Sequence, residues 1–495
     1  MSGSMMYKGK SGINFMMLLR LLGWLLMIEC VFMLIPLVTC LCYGESDWQS
    51  FAVSIGITAA SGFSLTLLLR PSRTDMGKRE GFLLTAMVWL VFSLFGMLPF
   101  MFSSMHYSVT DSFFEAMSGF TTTGASTIPT LEGMSHGHVI WRSVMQWIGG
   151  LGIILFTLAV IPMLNQSGGM QMFNAEVTGI THEKIRPRVS QTAKGLWCVY
   201  IILTVILFLL LWVGPMDIFE SICHSFSVMS TGGISTSDES IGYWDSPYTK
   251  IVVTLFMFIG GVNFALIFRA GHGDIRGVWK NGVLRVYVTL IAIMSLVIIA
   301  CLLWTGTWTT VEELLIDPVF EVVAMMTSTG YCLEPMAGWS PFIMMLLFVL
   351  MFFGGCAGST SGGAKIDRFI VLMEHARNEI FRCIHPNAIM SVRANGKIVS
   401  RELISKSVTF LCLYVMIIIA GAIVLIGLGV RIDHAFVATF ASISNAGIVT
   451  PALDIDMTFI GLPMAAKWIL AFVMLVGRLE LYTVLLLFLP DFWRK

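Results

Sequence analysis

Four stretches of the chain set small hydroxyl or amide side chains beside a glycine at one fixed position. They are SFFEAMSGFTTTGAST (112–127), SICHSFSVMSTGGIST (221–236), PVFEVVAMMTSTGYCL (318–333) and AFVATFASISNAGIVT (435–450), and they align without gaps on Gly124, Gly233, Gly330 and Gly447. Their chemistry would be that of the backbone. A monovalent cation stripped of water needs oxygens at contact distance, and backbone carbonyls supply them without a full charge that would trap the ion. Glycine at the fixed position permits angles that turn carbonyls toward an axis and lets the chain approach it closely. The candidate ion-lining residues are Thr122, Thr123 and Gly124; Thr231, Gly232 and Gly233; Ser328, Thr329 and Gly330; and Asn445, Ala446 and Gly447. Any one loop would pass for an ordinary Gly-Thr turn. Four in register fit that reading poorly.

Holding four loops around one axis demands a scaffold, and the composition says of what kind. The chain has 495 residues, 56% hydrophobic and only 12% charged. Apolar stretches run over 13–42, 51–69, 82–102, 139–164, 196–213, 251–268, 286–304, 342–353, 408–430 and 468–489, most of them long enough to span a bilayer. The eighth is short and ends in a Gly-rich break. Each aligned loop begins with an apolar segment too short to span, with acid near its start at Asp111, Asp217 or Glu220, Asp317 and Asp433, where a carboxylate can cap a helix N-terminus. This predicts a short helix entering from outside and an extended stretch returning outward, a backbone tolerated at membrane depth only where protein buries it or water reaches it. The stretch after each loop carries a matched centre: Gly149-Gly150-Leu151-Gly152, Gly260-Gly261-Val262-Asn263, Gly354-Gly355-Cys356-Ala357 and Gly477-Arg478-Leu479-Glu480.

The chain therefore reads as an all-α polytopic membrane protein with four helix, pore-loop, helix repeats around a pseudo-fourfold pore. The repeats occupy 80–195, 196–285, 286–407 and 408–495, and 1–79 holds two extra N-terminal transmembrane helices. Formal net charge is zero, but the basic residues gather in alternate connections, most densely from Lys365 to Lys406. The positive-inside rule then puts both termini in the cytoplasm. The lipid bilayer is the first partner; nothing points to nucleic acid. Ten cysteines lie scattered through the spans without Cys-x-x-Cys spacing and read as small apolar residues. The first apolar run is long enough to span and no small-residue cleavage pattern follows it, so it is not read as a cleaved signal. An enzyme built on His136, His138 or the Glu374-His375 pair would lack a nucleophile or metal-ligand companion at a useful spacing.

At this point the residues form a known pattern. TTTGA in the first loop, CHSFSVMSTGGIST in the second, TSTGY in the third, GGCAGSTSGGAK after it and GRLELYTVLLLF near the end resemble the Trk/Ktr/HKT superfamily of potassium transporters, specifically its TrkH/TrkG-type membrane subunits. The likeness covers nearly the whole chain, including two N-terminal spans that Ktr-type relatives lack. It implies potassium uptake across the bacterial cytoplasmic (inner) membrane, with K+ as the transported ion and no organic cofactor. It further implies a homodimer and a cytosolic TrkA-like nucleotide-binding regulatory subunit. The four glycines become filter glycines; relatives with Ser in the first filter admit sodium, so glycine there favours potassium. The fourth loop departs from the pattern, reading SNAGIVTP where such relatives usually carry Asn and then a Gly-Pro-Gly stretch. An alternating-access cation carrier or a proton-coupled potassium symporter is the alternative.

The sequence also suggests a gate. Gly354, Gly355, Gly358, Ser359, Thr360, Ser361, Gly362 and Gly363 interrupt the second span of the third repeat with residues that cannot hold a rigid helix. A phosphate-binding Gly loop is the lesser reading, since Lys365 comes one residue late and no strand precedes it. The resemblance implies an intramembrane loop beneath the filter that blocks the path. Arg478 lies about ten residues into the last span, where an ionisable side chain is costly and usually functional. It is expected to repel cations and to hold the 354–363 loop through its carbonyls. Glu480, two residues on, would then point into packing on the other side of the helix. His224, aligned with Glu115 and Glu321, is expected to hydrogen-bond neighbouring loops rather than to transfer protons. On this reading only the third repeat supplies a flexible break and only the fourth an arginine.

Overall fold

In hydrocarbon every backbone polar group must find its partner within the protein, and a helix does this within one segment. The apolar stretches accordingly fold as helices in the computed structural model, which describes residues 13–69, 76–160, 189–333, 339–447 and 459–494. The chain opens with α1 (Phe15–Tyr43) and α2 (Trp48–Leu68), packed along each other. Asn14 starts α1 by accepting from the amide of Met17, and Gly44 ends it in the left-handed region at φ 69°.

An order of long helix, short helix, loop and inner helix then recurs four times. The first unit is α3 (Lys78–Gly96) with the turn α4 (Leu98–Met101), α5 (Val109–Phe120) and α6 (His136–Val160). The second is α7 (Val189–Val213), α8 (Ile218–Met229), α9 (Pro247–Gly260) and α10 (Phe264–Gly271), followed by the link α11 (Ile275–Trp279). The third is α12 (Gly282–Thr305), α13 (Val311–Leu315), α14 (Asp317–Met326), α15 (Pro341–Phe353) and α16 (Ile366–Ile384), after which comes a two-stranded hairpin, β1 (Arg393–Ala394) with β2 (Lys397–Ile398). The fourth is α17 (Arg401–Gly427), α18 (Ile432–Ser444), α19 (Met464–Arg478) and the turns α20 (Tyr482–Leu485) and α21 (Pro490–Trp493).

Among the described residues six helices are long and apolar enough to cross a membrane, and eight if each of two bent pairs counts as one span. Those bends correct the expectation that only the third inner helix is broken. The α9–α10 pair turns by 106° at Gly261–Asn263, and α19 turns by 113° against Tyr482–Phe488. The cause of the first is local: Asn263 caps α10 by accepting from the amide of Ala265, so a new helix begins in a new direction. At the second, Glu480 and Leu481 sit at φ 54° and 57°, outside any continuing helix.

The short helices α5, α8, α14 and α18 have 12, 12, 10 and 13 residues, too few to cross a bilayer at about 1.5 Å per residue. They are sheathed by the long ones. Two apolar clusters do the holding: one is built mainly from α1, the first unit and the fourth, and the other mainly from the second and third.

Candidate ion pathway and gate

Each short helix ends the same way. Thr122, Thr231, Ser328 and Asn445 take left-handed backbone at φ 54°, 53°, 55° and 50°. The next amide then reaches back five residues: Thr123 to the Ser118 carbonyl, Gly232 to Ser227, Thr329 to Ala324 and Ala446 to Ala441, at 2.9, 2.9, 2.9 and 3.0 Å. This is a Schellman-type closure, made four times at one register. Non-glycine residues rarely adopt that backbone without a compensating bond. It throws the chain out of the helix and leaves the helix C-terminus, the negative end of its dipole, at the start of the loop.

Two residues on, Gly124, Gly233 and Gly330 return to positive φ at 80°, 77° and 77°. A Cβ on Gly124 would overlap the Gly232 carbonyl oxygen, one on Gly233 the Thr329 carbonyl oxygen, and one on Gly447 the backbone of Thr123 to Ala125. The glycines therefore sit where one loop meets the next, in the ring order first to second, second to third and fourth to first. Gly447 departs from the sequence expectation, for its φ lies outside the positive range of the other three. The unusual continuation of that loop from Ile448 lies outside the described residues.

The matched centres of the inner helices have a geometric reason. A Cβ on Gly149 would overlap the Phe120 carbonyl, and one on Gly477 the Ile443 carbonyl. Phe120 and Ile443 each stand four residues before the aligned glycine of their own loop. Glycine lets the inner helix close onto the last turn of its own short helix. Gly354 differs: a Cβ there would strike Gly362, because the chain has already left the helix.

Further side chains support these segments, and Gln146 among them was not singled out from sequence. Gln146 on α6 reaches the second loop, donating to the Gly232 carbonyl at 2.6 Å and accepting from Ser227 Oγ at 2.7 Å and the Ile234 amide at 3.3 Å. Tyr331 donates to the Ile234 carbonyl at 3.0 Å. Asn445 donates to Thr123 Oγ1 and to the Met474 carbonyl, both at 3.0 Å. Hydroxyls repeat as well: Thr121 pairs with Thr123 at 2.8 Å and Thr327 with Thr329 at 2.7 Å.

The aligned polar positions behave alike. Glu115 accepts from Ser126 Oγ at 2.8 Å and the Thr127 amide at 2.5 Å while Arg142 lies 3.3 Å from its other oxygen; His224 Nε2 meets Ser235 Oγ at 3.1 Å; Glu321 accepts from the Leu333 amide at 2.8 Å. Each holds the outgoing stretch of its own loop, whereas the sequence suggested neighbouring loops for His224. Of the acids at the helix starts, Asp217 caps α8 in a capping box with Glu220. Ser108, not Asp111, caps α5. Asp111 and Asp317 instead pair with Lys467 and Lys250 of other units, at 2.6 and 3.1 Å.

Residues 354–365 leave helix between α15 and α16 and thread beneath three of the four loops. Thr360 Oγ1 donates to the carbonyls of Met229 and Gly260 at 3.2 and 3.1 Å and lies 3.4 Å from Thr231 Oγ1. The Gly362 amide donates to Ser328 Oγ at 2.6 Å and the Gly363 amide to the Ser444 carbonyl at 2.9 Å. Ser361 Oγ accepts from the Gly355 amide, Ser359 Oγ donates to Cys356, and the Gly358 carbonyl accepts from Phe264. Lys365 closes onto the Ser361 carbonyl. Arg478 is 4% exposed; Nη1 donates to the Thr360 carbonyl at 3.0 Å and Nη2 to Gly149 at 2.9 Å. Glu480 does not point into apolar packing. With α19 ending at Arg478, the two-residue helical offset no longer applies, and Glu480 Oε2 meets Arg368 Nη2 at 2.5 Å.

Known proteins share this plan. The family model for TrkH, a cation transport protein, matches residues 48–495. The chain is 36% identical over 490 residues to the Trk system potassium uptake protein TrkH of Escherichia coli K12, covering 97% of this chain and 100% of that one. It is 37% identical over 492 residues to TrkH of Halomonas elongata, covering 97% and 99%, and 31% identical over 476 residues to TrkG of E. coli K12, covering 96% and 97%. The crystal structure of the potassium transporter TrkH from Vibrio parahaemolyticus superposes with a TM-score of 0.87 at 31% identity, over 97% of this chain and 100% of that one. Continuous coverage from the N-terminal helix pair to the last inner helix, at these identities and with the same fold, makes the chain a member of the TrkH family of cation transport proteins.

Proposed function

We propose that this chain takes up potassium across the bacterial cytoplasmic membrane, through a filter made by Thr122 to Gly124, Thr231 to Gly233, Ser328 to Gly330 and Asn445 to Gly447. The observation that carries this is the fourfold helix closure, made at one register in all four loops, which supports a reading of four segments whose carbonyls and helix C-termini face a common axis. The 354–363 loop and Arg478 form the gate, a reading supported by the hydrogen bonds that hold the loop against the second, third and fourth filter segments. The basic residues of alternate connections favour cytoplasmic termini. Exposed apolar residues on α16, Met373, Ile380 and Ile384, beside basic Arg377 and Arg382 favour a face open to a second copy or to a cytosolic TrkA-like nucleotide-binding subunit.

The test is Gly124→Ser. Its Cβ would press on the Gly232 carbonyl from a backbone at φ 80°, disturbing the ring at its first-to-second joint. Rubidium uptake by cells without other potassium uptake should become open to competition by sodium. Preserved selectivity in a folded variant would sink the filter assignment.

A further inference from the structure

The four inner helices are not equivalent at one buried position. Counting three residues back from the first glycine of each matched centre gives Gln146, Met257, Met351 and Met474, all buried or nearly so. The filter position just before the aligned glycine reads Thr123, Gly232, Thr329 and Ala446. The one polar inner-helix residue thus coexists with the one filter segment that has no side chain there, and the two touch. A Cβ on Gly232 would overlap the Gln146 amide. The amide orientation follows from its partners: Oε1 faces two donors, Ser227 Oγ and the Ile234 amide, and Nε2 faces the Gly232 carbonyl at 2.6 Å.

We infer that Gln146 is a selectivity-setting positioning residue, whose amide fixes the Gly232 carbonyl of the second filter segment so that the ring cannot contract around a smaller cation. The inference rests on the potassium-filter reading and names a further residue within it. In the first and third segments the corresponding stiffening comes from within the loop, through the Thr121–Thr123 and Thr327–Thr329 hydroxyl pairs. The second segment has Gly232 in place of that threonine and takes its brace from α6 instead. A carbonyl held by a fixed donor pays less to stay at potassium distance and more to move inward. A Met there would release it, and sodium would gain.

The experiment measures rubidium uptake by the full chain in liposomes, with potassium and sodium as competitors. Three variants are compared with the wild type: Gln146→Met, Gly232→Ala and the pair Gln146→Met with Gly232→Thr, which recreates the Met and Thr found elsewhere. Gln146→Met and Gly232→Ala break the same bond from opposite sides. Each should improve competition by sodium about tenfold relative to potassium, and the pair should recover most of the lost preference. A lower maximal rate with an unchanged ion ratio would mark a structural role only and overturn the inference. If Gln146→Met fails to assemble, Gly232→Ala decides on the same two outcomes, and failure of both to assemble also overturns it. A wild type without preference for potassium over sodium would defeat the filter reading itself. A selective wild type with an equally selective, assembled Gln146→Met defeats only the role given to Gln146.

Discussion

Replacing Arg478 by alanine removes its hydrogen bonds to the carbonyls of Thr360 and Gly149, and the first of these ties the loop. The Nη1 bond to the Thr360 carbonyl, 3.0 Å, holds the 354–363 segment; the Nη2 bond to Gly149, 2.9 Å, anchors the arginine to α6. A hydrogen bond to a charged group is worth about 1.5–3 kcal/mol. Losing the first therefore shifts the balance between held and released loop by about 10- to 100-fold. The loop does not fall free, because the Gly362 bond to Ser328 and the Gly363 bond to Ser444 remain. The alanine also removes the buried positive charge at the end of α19, which on the proposed gating role repels cations. Both effects act in the same direction, so rubidium flux through purified Arg478→Ala in liposomes should rise several-fold at fixed driving force. Arg478→Lys separates them, since an ammonium keeps the charge but loses the planar fork; it should give an intermediate flux. Unchanged flux in an Arg478→Ala protein of normal size-exclusion profile and melting temperature would refute the gating role.

Other outcomes follow from single contacts. Glu480→Gln weakens the 2.5 Å pair with Arg368, whose guanidinium also lies 3.8 Å from the Phe410 ring centre; the loss of about 1.5–3 kcal/mol should lower the melting temperature and raise flux, because α16 begins where the loop ends. Gly149→Ala should abolish assembly, judged by yield of folded protein, whereas Gly56→Ala, with open space around its Cβ, should leave yield unchanged. Outside the membrane, hydrogen bonding from His138 holds the Asp47 carboxyl below the usual range, against the opposing effect of burial, with the Ser104 amide assisting at 3.1 Å. A carboxyl depressed in the folded state stabilises above its unfolded value, about 3.9, and loses that contribution as pH falls toward its folded value. Thermal melts of Asp47→Asn should thus fall below wild type at pH 7 and converge on it as pH drops below about 4; a gap that stays constant to pH 2 would remove Asp47 from the account.

The four loop closures were legible because their signal is one-dimensional. A glycine and a preceding hydroxyl or amide residue recur at fixed spacing, and that spacing is what the closure at Thr122, Thr231, Ser328 and Asn445 requires. The inner-helix centres were legible for the same reason, though their cause, contact with the carbonyls of Phe120 and Ile443, is tertiary. Gln146 left no such trace. One polar residue in an apolar span reads as noise until Gly232 is seen beside it, 86 positions away in sequence. The α9–α10 bend had a signal that was passed over, since Asn263 after two glycines is a helix start as well as a landmark. The break at Leu479 to Leu481 was harder to read: no glycine or proline lies within it, and Glu480 and Leu481, residues common in helices, take positive φ.

These breaks change where the asymmetry of the pore lies. Three inner helices leave their axis at the matched centre, the second across Gly261–Asn263, the third across 354–365 and the fourth across 479–481. Breaking alone cannot mark the third as the gate. Reach can. A gap of three residues only redirects a helix, whereas the longer segment extends from Gly260 and Met229 on the second unit, past Ser328 on the third, to Ser444 and Arg478 on the fourth. It is thereby fixed by groups from three units, and on the proposed gating role all of them must let go, or move together, before a path opens. Shortening the segment by deleting Gly362 and Gly363 removes its links to Ser328 and Ser444 while leaving Thr360 on Arg478, and should give a conducting protein in which Arg478→Ala adds little further flux. A large additional increase would mean that arginine and loop act independently, and that the links to the third and fourth units do not gate.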